Sequence, residues 1–134
     1  MYLTLLNEKQ KEFFLGLAYN ISNIDGDFSN DEQDMIESYC KEMNIEYSDS
    51  IAKQKIDFLL SNITSIFDEK TIKIILFELI GLAMVDNNFD TSERNFLNKI
   101  ISLYPIDEKI INNIEDYIKS YLDLQNKINN LILN

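Results

Sequence analysis

The chain has no histidine, and this absence removes more functions than any residue it contains. Ser-His-Asp and Cys-His catalysis and histidine-ligated metal centres are excluded with it. A single cysteine, Cys40, rules out an internal disulfide and any multi-cysteine zinc site. Three glycines (Gly16, Gly26 and Gly81) cannot build a Walker loop or a GxGxxG turn. Arginine occurs once, at Arg94, and proline once, at Pro105; tryptophan is missing. The longest apolar stretch, Ile74 to Val85, is broken by Glu78 and falls short of the roughly 20 residues that span a bilayer. The start, from Met1 to Leu6, lacks the basic leader, apolar core and cleavage site of a signal peptide. With an unpaired cysteine, these features lead to the expectation of a cytoplasmic protein without membrane insertion.

What remains is acidic and apolar in ordinary globular proportion. Twelve basic and 23 acidic residues give a net charge of −11 in 134 residues, so a basic footprint for nucleic acid is missing. The length suits one domain, taken as residues 1–134. Apolar residues recur at three and four along nearly the whole chain, and no segment sustains a period of two, so the fold class is all-α. The spacing predicts a compact bundle of about six helices. These cover about 7–25, about 30–44, a stretch through Ile56–Ile63, Thr71–Val85, a stretch through Phe96–Tyr104 closed by Pro105, and about 107–133. The fourth is apolar nearly all round and is expected at the centre of the core.

The last helix carries Ile110, Ile114, Tyr117, Tyr121, Leu124, Ile128 and Leu131, alternating four and three without a break. Ile111, Ile118, Leu122 and Ile132 widen that stripe beyond a coiled-coil seam. The expectation is therefore that the seam packs along its own domain in a monomer. A homodimer through this helix is the alternative.

The chain also repeats. Asp25-Gly26-Asp27-Phe28-Ser29-Asn30-Asp31-Glu32 aligns with Asp86-Asn87-Asn88-Phe89-Asp90-Thr91-Ser92-Glu93, 61 residues on. An apolar helix precedes each turn, and Met35-Ile36 and Phe96-Leu97 follow at equal distances. This gives two helix–acidic turn–helix units, about 8–44 and about 71–104, related by an approximate dyad. Local structure accounts for much of each turn. Ser29 and Asp90 stand at N-cap positions, with Glu32 and Glu93 three residues later completing a capping box. Gly26 and Asn87 suit the left-handed residue after a helix end. Phe28 and Phe89 are expected to turn inward as core plugs.

Asp25 and Asp86 are not explained by capping, because each faces the negative end of a helix dipole. Either an Asx turn onto the following amides or a bound cation offsets that cost. On the frame of a calcium-binding EF-hand loop, Asp25, Gly26, Phe28, Ser29 and Glu32 fill the fifth, sixth, eighth, ninth and twelfth places. Ile21 fills the first, so the turn is half a loop. Candidate metal ligands are thus Asp25, Asp27, Ser29 and Glu32 in the first turn, and Asp86, Asn88, Asp90 and Glu93 in the second. The cation would be calcium, magnesium or manganese, and no organic cofactor is expected. Glu78, inside the apolar helix, is either a solvent-edge residue paired with a lysine such as Lys73 or a buried carboxylate serving as an additional ligand. Cys40 lies on an apolar stripe and reads as core.

The apolar helix, Asp-Gly-x-Phe-x-x-x-Glu, and a second such turn sixty residues on resemble the TerB-like family of bacterial all-helical domains. The family is named after a tellurite-resistance protein. The likeness covers about residues 8–104, and the second copy departs from it where Asn87 replaces the glycine and Asn88 the next polar residue. The resemblance implies a non-enzymatic acidic module, with metal ions as expected ligands of its carboxylates, acting with protein partners in metal, envelope-stress or phage defence. An enzyme using paired carboxylates has no visible substrate clamp beside them. The alternative function is an acidic decoy that imitates DNA and occupies a basic partner protein.

Overall fold

The computed structural model describes residues 2–24, 26, 29–84 and 89–134. The described residues form an all-helical, compact bundle of seven α-helices behind a short 3-10 turn at Leu3–Leu5. They are α1 (Glu8–Asn23), α2 (Asn30–Met43), α3 (Asp49–Ala52), α4 (Ile56–Ile66), α5 (Glu69–Met84), α6 (Thr91–Ile101) and α7 (Glu108–Leu133). None of these helices is long and apolar enough to cross a membrane.

Helix starts follow the side chains that can satisfy their exposed amides. Asn7 Oδ1 accepts from the Gln10 amide at 2.9 Å while Gln10 Oε1 accepts from the Asn7 amide at 3.0 Å, a reciprocal box that opens α1. Asp68 Oδ1 takes the Thr71 amide at 2.7 Å at the start of α5. Asp107 Oδ1 takes the Lys109 amide at 2.9 Å at the start of α7. At the other end of α2, Asn44 adopts a left-handed backbone (φ 56°), and its amide reaches the Lys41 carbonyl at 3.1 Å.

The core has two axes rather than one. Helix α5 buries Ile72, Ile75, Leu76, Leu79, Ile80, Leu82 and Ala83, as its composition requires, and packs on α1, α6 and α7. Helix α1 is equally central: Phe13 to Ala18 are buried without interruption, and α1 packs on α2, α3, α4, α5 and α6. Its back face, which the spacing alone leaves to solvent, is covered by α3 and α4. Gly16 permits the approach, because a Cβ there would stand 3.2 Å from Leu59 Cδ1. Asn20 ties the same region together, its amide nitrogen donating to the Gly16 carbonyl at 2.8 Å and the Gln54 carbonyl at 2.9 Å. Single-turn α3 has no stripe of its own to read, and neither it nor the 3-10 turn was expected.

Helix α7 departs from expectation. Only Ile111 and Ile118 are buried, with Ile114 and Leu122 partly so, and these dock the first half on α5. Of the residues that widen the stripe, Ile111, Ile118 and Leu122 pack and Ile132 is exposed. Most of the uninterrupted seam is turned about a quarter of a turn away, by the helical 100° per residue. Tyr117 is 69% exposed, and Tyr121, Leu124, Ile128 and Leu131 are exposed as well. The expectation that the seam packs inside the domain is corrected: two apolar stripes run along α7, and the domain covers one.

Beyond α6, Tyr104 closes the bundle. Its hydroxyl donates to the Ile63 carbonyl at 3.1 Å and the Phe67 carbonyl at 2.8 Å, satisfying the end of α4. Burial, with Asp68 nearby, pushes this phenol up to about 12, so it remains a donor at ordinary pH. Tyr104→Phe deletes the donor and keeps the ring, and should cost about 1–2 kcal/mol. Denaturant unfolding of the two proteins checks this; equal midpoints would show that the hydroxyl contributes nothing.

Candidate functional site

The candidate site is the pair of acidic turns, each joining the end of one core helix to the capped start of the next. In the first, the Glu32 amide donates to Ser29 Oγ at 3.1 Å, and Glu32 Oε1 accepts from the Ser29 amide at 3.2 Å. The Ser29 hydroxyl also lies 3.2 Å from that carboxylate oxygen. In the second, the Glu93 amide donates to Asp90 Oδ1 at 2.8 Å, and Glu93 Oε1 accepts from the Asp90 amide at 3.2 Å. Both capping boxes read from the sequence are present. Gly26 has φ +78°, the left-handed conformation expected of it, and its amide reaches the Asn23 carbonyl at 3.0 Å.

Four of the eight proposed turn ligands can therefore be placed, and each pair is joined within its own box. Asp25, Asp27, Asp86 and Asn88 lie outside the described residues. So do Phe28 and Asn87. Among the described residues no group of three or more acidic or thiol side chains is close enough to hold a metal ion.

The capping glutamates have one property that cap chemistry does not require. Glu32 is 5% exposed and Glu93 3% exposed, so each turn rests on a carboxylate withdrawn from water. The positive N-terminal ends of α2 and α6 favour negative charge there.

The second turn is also tied to α7. The guanidinium of Arg94 sits over the Phe89 ring, 4.1 Å from its centre, and its Nη2 pairs with Glu115 Oε1 on α7 at 3.0 Å. Phe89 is partly buried against the core, as expected of a plug. Between this corner and α7 lies an open cleft of about 300 Å³ reaching Met84, Lys119 and Leu122. The chain's only arginine thus ties the second turn to the last helix. Its solitary occurrence was the available signal.

Glu78 is not a solvent-edge residue. It is 8% exposed, and Lys73, five residues earlier, lies about 140° round the helix. Its neighbours are Tyr39, whose hydroxyl donates to the Glu78 backbone carbonyl at 3.0 Å, and Glu42, which takes the Leu3 amide at 3.0 Å. Glu42 lies near the end of α2, roughly 15 Å along that helix from Glu32. Glu78 therefore faces the last turn of α2 and the chain's first residues rather than the first acidic turn. Burial raises its carboxyl pKa, repulsion from Glu42 adds to the rise, and the Tyr2 amide partly opposes it. Cys40 is buried, as expected, and burial pushes its thiol up, with Glu37 adding to the rise.

No protein-family model, curated protein or solved structure matches the chain.

The Glu78 environment has a consequence for stability. Below the ordinary glutamate value of 4.5, Glu78 is neutral in both folded and unfolded chains. Above it the unfolded chain releases its proton first, so stability is lost as pH rises through the folded pKa. Glu78→Gln should therefore gain on the wild type between pH 4 and pH 7. Urea midpoints across that range check it; a gap that stays constant would contradict the raised pKa.

Proposed function

We propose that the chain is a non-enzymatic helical interaction module of the TerB-like type, whose two acidic turns take divalent cations. The observation that carries this reading is the matched pair of buried glutamates, Glu32 and Glu93, at the same capping position in the two repeats. Each accepts the amide of its own N-cap, which holds its carboxylate at the turn. Beside each, the sequence supplies further oxygen ligands: Asp25 and Asp27 in one turn, Asp86 and Asn88 in the other. Oxygen donors of this kind suit calcium, magnesium or manganese. Two pseudo-symmetric units would then present two ion-stiffened corners to a protein partner, in a cytoplasmic role in metal (tellurite), envelope-stress or phage defence.

The second turn, with Asn87 and Asn88, is the weaker site in this reading. Asp25→Asn removes a ligand charge, and Glu32→Gln removes another while keeping a side chain that completes a capping box. A cation at 100 times its dissociation constant adds about 2.7 kcal/mol, a melting shift of roughly 5–15 °C for a domain of this size. Thermal unfolding in chelator and in millimolar calcium, magnesium or manganese should show such a shift in the wild type. It should be largely lost in Asp25→Asn and Glu32→Gln, and less affected in Asp86→Asn. The same melting temperature in chelator and in every cation would overturn cation binding.

A further inference from the structure

The distal half of α7 carries an apolar face that the domain leaves open. Tyr117, Tyr121, Leu124, Ile128 and Leu131 are all more than half exposed. They repeat at four and three, the period of a two-helix seam rather than of a broad amphipathic face. The stripe that docks this helix on α5, through Ile111 and Ile118, lies on another side. The helix is thus free to hold its own domain with one face and a second helix with the other.

We propose that this seam binds the same seam of a second copy, forming an antiparallel two-helix interface. Three observations select that occupant. The first is self-complementarity: in an antiparallel pair, Tyr121 meets Leu124 of the second copy and Tyr117 meets Ile128, a large ring against a branched aliphatic in each layer. The second is charge. The chain carries −11, but residues 117–134 contain only Lys119, Lys127 and Asp123 as charged side chains, so the seam is the part of this acidic protein where a second copy is not repelled. The antiparallel direction also places the two acidic bodies at opposite ends of a seam about 21 Å long. The third is area. The five seam residues, each more than half exposed, offer on the order of 600 Å² per chain, the lower end of what each partner contributes to a specific interface.

Sedimentation equilibrium of the full chain tests this. The wild type should distribute between monomer and a dimer of twice its 15.7 kDa mass as concentration rises through the micromolar range. Leu124→Glu and Ile128→Glu should remain monomeric. Because both positions are exposed in the monomer, their helicity and melting at dilute concentration should match the wild type. A wild type that stays monomeric at 200 μM would overturn the proposal, as would a dimer that survives both substitutions. Monomer recovered on phosphatidylglycerol vesicles without self-association would assign the seam to a lipid surface and also overturn it. For direction, Tyr117→Cys and Ile128→Cys chains should form disulfide-linked dimers when mixed and not alone. Cross-linking of each variant with itself would overturn the antiparallel arrangement.

Discussion

The packing of α1 against α5 is the contact on which the rest of the molecule depends. Each is buried through most of its middle, Phe13–Ala18 in one and Ile72–Ala83, apart from exposed Lys73 and partly covered Ile74, Phe77 and Gly81, in the other. Neither face can be left in water, since a fully buried large aliphatic or aromatic side chain contributes about 1.5–3 kcal/mol over an exposed one. The remaining helices are the covering. Helices α3 and α4 close the back of α1, while α6 and the first half of α7 close α5. In sequence, each spine helix leads into an acidic turn, and the capped start of α2 or α6 follows it.

Net negative charge shapes how that covering is attached. With 23 acids against 12 bases, the chain cannot balance its charge by surface pairing. It places carboxylates where backbone amides are exposed instead. Glu32, Asp68, Asp90, Glu93 and Asp107 all accept from amides at helix starts. Glu42 accepts the Leu3 amide in the same manner, holding the first turn of the chain to α2. Arg94 is the one guanidinium in this scheme, bridging from the second turn to Glu115. The distal half of α7 escapes it altogether, being nearly neutral and apolar. Cation-stiffened turns and a self-pairing helix would therefore occupy different parts of the surface and could operate together.

Much of this was legible in the sequence because it is local. A capping box is specified within four residues, so Ser29-Glu32 and Asp90-Glu93 could be read directly, as could the left-handed Gly26. Six of the seven α-helices followed from three-four spacing. What was not legible is tertiary. The burial of α1's back face depends on α3, a single turn whose Ala52 gives no periodic signal. Along its own helix Glu78 can be either a solvent-edge partner of Lys73 or a buried carboxylate; what decides for burial comes from α2 and from the chain's first residues, about 40 and 75 positions away in sequence. On α7 the two apolar stripes merge in a linear reading, and only the position of α5 separates the docked one from the open one. Ser29, Glu32, Asp90 and Glu93 take the capping positions that their spacing predicts.

Amide hydrogen exchange at low micromolar concentration tests the central claim that the α1–α5 spine carries the fold while the distal α7 seam lies outside it. The account predicts that amides of Phe13–Ala18 and Ile75–Ala83 exchange only through global unfolding. Amides of Leu124–Leu133 should exchange orders of magnitude faster in the same sample. Equal protection of the two regions at a concentration where the chain is monomeric would contradict it, because the seam would then be covered by its own domain.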